Sequence, residues 1–274
     1  MSKAVSRRAW NTVAGLVLCT SFGLAGCGSS DDDVNYVEQP VEVLYNRALD
    51  ELGAQEYKAA AKGFEEVDRQ HPYSVWATKA QIMAAFAYYQ SNKYDEAIIA
   101  LDRFIQLHPG HRDIPYAYYL KALSYYEQIS DVGRDQRMTQ QALEALAEVV
   151  KRFPESPYAR DSRLKVELAI DHLAGKEMAV GRFYQQHQQY VGAINRYRVV
   201  IERYQTTTHV PEALHRLVES YLSLGVKSEA QEAAAVLGYN FPGSEWYQDS
   251  YYLMTGEGSP VPSDEKSRWF FGLF

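Results

Sequence analysis

Between Leu44 and Pro242 the apolar positions of the chain recur in two superposed rhythms. Locally they fall three and four residues apart. Ala97, Ile98, Leu101, Phe104 and Ile105 form one such stripe. That spacing predicts an amphipathic α-helix, because 3.6 residues complete a turn. Over longer range the stripe returns every 37 residues. Tyr57, Ala60, Phe64, Val67, His71 and Pro72 reappear as Tyr94, Ala97, Leu101, Phe104, His108 and Pro109. The same step carries Tyr184 to Tyr221, Ala193 to Ala230 and Val200 to Leu237. Punctuation agrees with the pattern. Asp95 stands near a helix start, where negative charge suits the dipole. Pro109 forces His108 out of helical geometry and ends the helix.

A period of this size, with alanine and aromatics at helical spacing and proline closing the unit, predicts a helix–turn–helix solenoid. The fold expected is all-α: a tetratricopeptide-like, right-handed superhelix of five helix pairs plus a C-terminal capping helix. The pairs fall at about 41–72, 74–109, 112–154, 157–205 and 209–242, with the cap at 244–254. Two departures break the period. The step from Ala97 to Ala142 is 45, which places eight extra residues between the helices of the third pair, in a polar loop around Gly133. The step from Ala142 to Ala193 is 51, fourteen more than one period. It predicts one helix of about 30 residues from Pro157 to about residue 186, with a break near Gly175 as the alternative.

Residues 1–26 read as an address rather than as fold. Lys3, Arg7 and Arg8 precede an apolar stretch from Val13 to Phe22, too short to span a bilayer as a helix. Leu24, Ala25 and Gly26 then lead into Cys27, a bacterial lipoprotein box that marks Cys27 for lipidation. Several acyl chains together anchor stably, at about 0.8 kcal/mol per buried methylene. Cys19 would leave with the leader, so no thiol would remain for a disulfide, a metal or catalysis. Residues 27–40 read as an acidic tether. Residues 255–274 read as a flexible tail ending in Trp269, Phe270, Phe271, Gly272, Leu273 and Phe274. That aromatic hexapeptide suits either docking on a partner or folding back on the body.

Charge narrows the partners. The formal charge is −7; loss of Lys3, Arg7 and Arg8 takes the 28 basic residues to 25 against 35 acidic, or −10. An acidic chain is poorly suited to nucleic acid or to broad adhesion on anionic lipid. The 22 tyrosines either pack between helices or line grooves, where they give large contact area at low entropic cost. Little else carries chemistry. His71 and His108 share a repeat position before proline, a structural placing. His108 and His111 flank a Pro-Gly turn without further ligands, so no metal and no cofactor is expected. Glu219 with Ser220, and Glu155 with Ser156, have the dipeptide of some lytic transglycosylases but no catalytic domain around them.

The lipoprotein box, the repeats, Ala87 to Tyr89, the run from Leu101 to Pro109 and the turn at 153–158 together resemble the BamD (ComL/YfiO) family of outer-membrane lipoproteins. The resemblance covers Leu24 to about Leu253 and excludes the aromatic tail. It implies a non-enzymatic, lipid-anchored scaffold on the periplasmic face of the outer membrane, within the β-barrel assembly (BAM) complex. Implied partners are the POTRA domains of a BamA homologue, other BAM lipoproteins and unfolded outer-membrane β-barrel proteins. Asn195 and Arg196 match the family's BamA-facing pair, where the arginine meets an acidic residue. Tyr88, Tyr89, Tyr118 and Tyr119 are candidates for the substrate groove, although adjacent residues point about 100° apart, so at most one of each pair can face it. Another periplasmic adaptor lipoprotein, or a peptidoglycan-active solenoid enzyme, are the competing readings.

Overall fold

A computed structural model of the chain describes residues 38–256. Cys27, the leader, most of the tether and the aromatic hexapeptide 269–274 lie outside the described residues. Eleven helices follow one another among those described: α1 (Val41–Gly53), α2 (Tyr57–Gln70), α3 (Val75–Gln90), α4 (Tyr94–Leu107), α5 (Ile114–Tyr126), α6 (Arg137–Arg152), α7 (Pro157–Gln186), α8 (Tyr190–Arg203), α9 (Val210–Ser223), α10 (Lys227–Asn240) and α11 (Glu245–Thr255). Each packs on its neighbours in sequence. Along one side the odd-numbered helices also touch, α1 on α3, α3 on α5, α5 on α7 and α9 on α11. The result is an all-α solenoid whose odd helices share a face.

The turns repeat as faithfully as the helices. Gln55, Asn92, Gln188 and Gly225 all adopt left-handed backbone, with φ of 63°, 58°, 60° and 78°. At each, the next residue's amide reaches back to close the turn: Glu56 to the Glu51 carbonyl, Lys93 to Tyr88, Gln189 to Tyr184 and Val226 to Tyr221, all at 2.9 Å. This satisfies carbonyls that the helix end would otherwise leave bare. Between pairs, Ser74, Ser156 and Ser244 cap the following helix, accepting the amides of Ala77, Ala159 and Tyr247. Each such cap is worth about 1 kcal/mol.

The core is a set of equivalent slots. Ala60, Ala97, Ala142, Ala193 and Ala230 are fully buried, as are Val67, Phe104, Val149, Val200 and Leu237 about two turns later on the same even-numbered helices. A third series faces across each pair and trades volume. Ala48, Ala85 and Ala122 on the odd helices share their clusters with Phe64, Leu101 and Leu146 on the even ones. In the fourth pair the small partner shrinks to Gly181 and the large one grows to Tyr197; a Cβ on Gly181 would overlap the tyrosine ring. In the fifth the trade reverses, to Val218 with Ala234. Packing at organic-crystal density demands this compensation.

Both departures from period have a physical place. The extra loop of the third pair folds onto α7. The Ser130 carbonyl lies 2.8 Å from His172 Nε2, Lys176 Nζ donates to the Gly133 carbonyl at 3.0 Å, and Val132 packs on Gly175. Helix α7 runs unbroken through Gly175 and Gly181. Its first half packs with α5 and α6 through Tyr158 and Val166, and its second half with α8 and α9 through Ala174 and Met178.

The volume trade predicts a reversal of ordinary helix rules. Glycine to alanine usually stabilises a helix interior by about 1 kcal/mol, but G181A is expected to lower stability by about 1–3 kcal/mol through overpacking. Adding Y197L, which recreates the Ala–Leu pairing of the second and third pairs, is expected to recover part of the loss. Denaturant melts of the two single variants and the double variant measure this coupling.

Candidate functional site

The odd-helix face carries a tyrosine cluster where α3, α5 and α7 meet. The rings of Tyr119 and Tyr158 stack at 5.0 Å, and Tyr116 leans on Tyr158 at 5.5 Å. The Tyr119 hydroxyl donates to Asp161 at 2.6 Å, and Lys165 pairs with the same carboxylate at 3.0 Å. Lys165 also sits over the Tyr126 ring. On α3, Tyr89 donates to Glu127 at 3.3 Å and meets Tyr94 edge-on. Towards α1, Tyr45 packs on Trp76 at 4.8 Å. The phenols of Tyr89, Tyr116 and Tyr119 do not ionise in the physiological range. Burial, then neighbouring Glu127, pushes Tyr89 up to about 12; burial, then Tyr158, does the same to Tyr116. Burial and the Asp161 carboxylate raise Tyr119 further still. The face is therefore a set of half-buried aromatic rings, with Tyr89 and Tyr119 held by carboxylates and the hydroxyls of Tyr89, Tyr116 and Tyr119 neutral.

The four tyrosines singled out from sequence separate two and two. Tyr89 and Tyr119 belong to the odd-helix face. Tyr88 and Tyr118 turn to the other side. Tyr88 donates to Glu65 on α2 at 2.7 Å and lines a cavity of about 220 Å³ with Phe64, Asp68, Ile99 and Arg103. Tyr118 packs on Phe153, with Arg152 over its ring. The 100° between neighbouring side chains on a helix makes this separation unavoidable.

A second polar centre joins α7, α8, α9 and α11. Glu219 accepts from Gln185 at 2.9 Å and from Arg216 at 2.8 Å, with His215 Nε2 at 3.4 Å. Gln185 in turn accepts the Tyr197 hydroxyl at 2.7 Å. Buried His215 binds Ser250 of the capping helix through Nδ1 at 2.8 Å and packs on Trp246. Burial alone would raise the Glu219 carboxyl, but the bonds from His215, Arg216 and Gln185 outweigh it and hold the group at about 2. A general acid in glycoside cleavage needs the opposite displacement. Glu219 is built to stay ionised and to tie helices together. Glu155 is exposed in the turn before α7, where its neighbour Ser156 serves as a helix cap. Among the described residues no three His, Cys, Asp or Glu side chains gather as a metal site would require. Neither is any helix there long and apolar enough to cross a membrane. His71 and His108 cap α2 and α4, their Nε2 atoms bound to the Gln39 carbonyl and to Gln81.

On α8, Asn195 is exposed, while Arg196 is partly engaged: Nη1 donates to Glu177 of α7 at 3.1 Å, leaving the side chain 44% exposed. The guanidinium has five donors, so one bond leaves the rest of the fork open.

Comparison with known proteins places this geometry. The model of the YfiO family, described as an outer membrane lipoprotein, matches residues 37–237. The chain belongs to the YfiO family of outer-membrane lipoproteins. It is 49% identical over 249 residues to a Caulobacter vibrioides protein named outer membrane protein assembly factor BamD, covering 90% of this chain and 81% of the relative. A Rickettsia prowazekii protein of the same name is 46% identical over 238 residues, covering 87% and 94% of the two chains. A Neisseria meningitidis serogroup A protein, again of that name, is 36% identical over 245 residues, covering 84% and 92%.

Sequence reasoning about this YfiO-family chain overlooked Tyr116, Tyr158, Asp161 and Lys165. Part of the signal was present: Tyr116, Tyr119 and Tyr126 lie three and seven residues apart, on one side of α5. The contribution of α7 was hidden, because Tyr158 and Asp161 come from the fourteen residues that lie outside the period.

The Glu219 network has a pH signature. Its carboxyl titrates near 2 when folded, below the ordinary 4.5, so its stabilisation is complete above about 4.5 and is lost as pH falls towards 2. E219Q is expected to lower stability by on the order of 2 kcal/mol at pH 7. The gap from the unaltered chain should narrow between pH 4.5 and 2, and denaturant melts across that range measure it.

Proposed function

We propose that this chain is a non-enzymatic outer-membrane protein assembly factor, which holds segments of unfolded β-barrel proteins on its odd-helix face and docks on a BamA homologue through α8. The observation that carries the reading is the row of tyrosines on α3, α5 and α7, in which Tyr89 and Tyr119 are fixed by carboxylates and Tyr158 stacks on Tyr119. An extended segment laid across these helices meets ring faces already held in place, so little side-chain freedom is lost on binding. Neutral hydroxyls suit recognition of backbone and apolar side chains without selecting for charge. The names of the relatives support the assembly role, and the family's description supports association with the outer membrane. Lipidation at Cys27 would provide the anchor, and other lipoproteins of the assembly complex are further partners of this reading. Peptides from the ends of barrel proteins, titrated against Y119A and Y118A, test the groove. Affinity is expected to fall about tenfold for Y119A and to change little for Y118A. Recovery of the chain from membranes without a BamA homologue would sink the docking half.

Arg196 requires a charge-swap, because it serves Glu177 as well as any partner. R196E leaves two acids facing each other and should weaken both folding and docking. R196E with E177R restores the internal pair but inverts the outward charge. Stability is then expected to recover while affinity for the BamA homologue stays about tenfold down, equivalent to about 1.4 kcal/mol. If the double variant binds normally, Arg196 acts only by setting α7 against α8.

A further inference from the structure

The fourteen residues that lengthen α7 have a consequence on its far side. In the regular pairs each odd helix is covered by the unit that follows. Helices α8 and α9 begin too far along to cover the first half of α7, so Leu164 and Leu168, one turn apart, are each 58% exposed. They form the wall of a groove of about 660 Å³ with Glu167, Asp171 and Thr206, Thr207 and Thr208 of the turn before α9. That volume is in the range of peptide and ligand pockets. The groove is a built feature. Asp171 accepts the amide and hydroxyl of Thr208 at 3.1 and 2.9 Å and fixes the opposite wall. Glu167, by contrast, makes no ion pair within the described residues and stands exposed at the rim.

We propose that this groove is the docking site of the chain's own C-terminal segment, with the aromatic side chains of residues 269–274 on Leu164 and Leu168. Three observations select that occupant. Its composition is complementary: an apolar floor meets Trp269, Phe270, Phe271, Leu273 and Phe274, while the unpaired Glu167 meets Lys266 and Arg268, the charges nearest to them in sequence. Reach is sufficient. Helix α11 packs on α9, and Thr208 stands at the start of α9, whose 14 residues span about 21 Å. One more helix spacing of about 10 Å leads to α7. The thirteen residue steps from Gly256 to Trp269 extend to roughly 43 Å. The carboxylates of the neighbouring tyrosine face are already engaged, Asp161 by Tyr119 and Lys165, and Glu127 by Tyr89. Occupancy in cis makes the groove a self-covered site, open to another basic, aromatic segment only when the tail is displaced.

Photocrosslinking in the full chain tests this. A benzoylphenylalanine side chain is placed at Leu168, and a mixture of isotopically light and heavy protein is irradiated and digested. The expected product joins position 168 to residues 266–274 of the same molecule, so light–light and heavy–heavy adducts appear without mixed ones. Adding E167K is expected to cut the yield at least threefold at low salt. Mixed adducts would assign the groove to a second copy and overturn docking in cis. Adducts to any other segment, no adduct to the tail, or a yield unaffected by E167K would overturn the proposal.

Discussion

Everything in this solenoid depends on how closely an odd helix can approach the even helix that follows it. The approach is set by one small residue facing one larger one, repeated from pair to pair: alanine under phenylalanine or leucine three times, then Gly181 under Tyr197, then Val218 with Ala234. Where one helix presents a bulky residue the other presents a small one, while the individual residues change. A chain built from such pairs has no central core to organise it, so each interface must hold by its own packing. The left-handed turn residues at Gln55, Asn92, Gln188 and Gly225 serve the same constraint, because they return the chain at the angle that brings the two faces together.

Regular pairs make a stack, and the two irregularities make it particular. Eight residues added inside the third pair form a loop that lies on α7, held by His172 and Lys176. Fourteen residues added to α7 let one helix serve two units, α5 and α6 with its first half and α8 and α9 with its second. A 30-residue helix is a stiff strut, about 45 Å long. It fixes the spacing between the tyrosine face at one end and the Arg196 surface and Glu219 network at the other. Its uncovered side, at Leu164 and Leu168, follows from the same addition.

Electrostatics here position groups rather than activate them. Tyr89 and Tyr119 are held by carboxylates and kept neutral; Glu219 is held ionised by three donors. None of these groups is poised near neutral pH to move a proton, and each spans two helices. Such arrangements suit a surface that keeps a fixed shape. The charged pairs cost desolvation, which is tolerable because most remain partly open to water.

The 37-residue period by itself determined the helix–turn–helix alternation, the proline punctuation and the buried alanine of each even helix, since these follow from local geometry and from spacing along one chain. It also marked both places where the period fails. The division of Tyr88 from Tyr89 and of Tyr118 from Tyr119 was foreseeable as a necessity, but which member faced which way was not. That choice depends on the register between helices, and adjacent residues of equal hydrophobicity do not reveal it. The partnership of Tyr119 with Asp161, of Arg196 with Glu177, and of Glu219 with Gln185 and His215 joined side chains that no local pattern links. The uncovered side of α7 was likewise decided only by where α8 and α9 begin to pack. Periodicity states which residues of a helix turn inward; only the assembled stack states what each one meets.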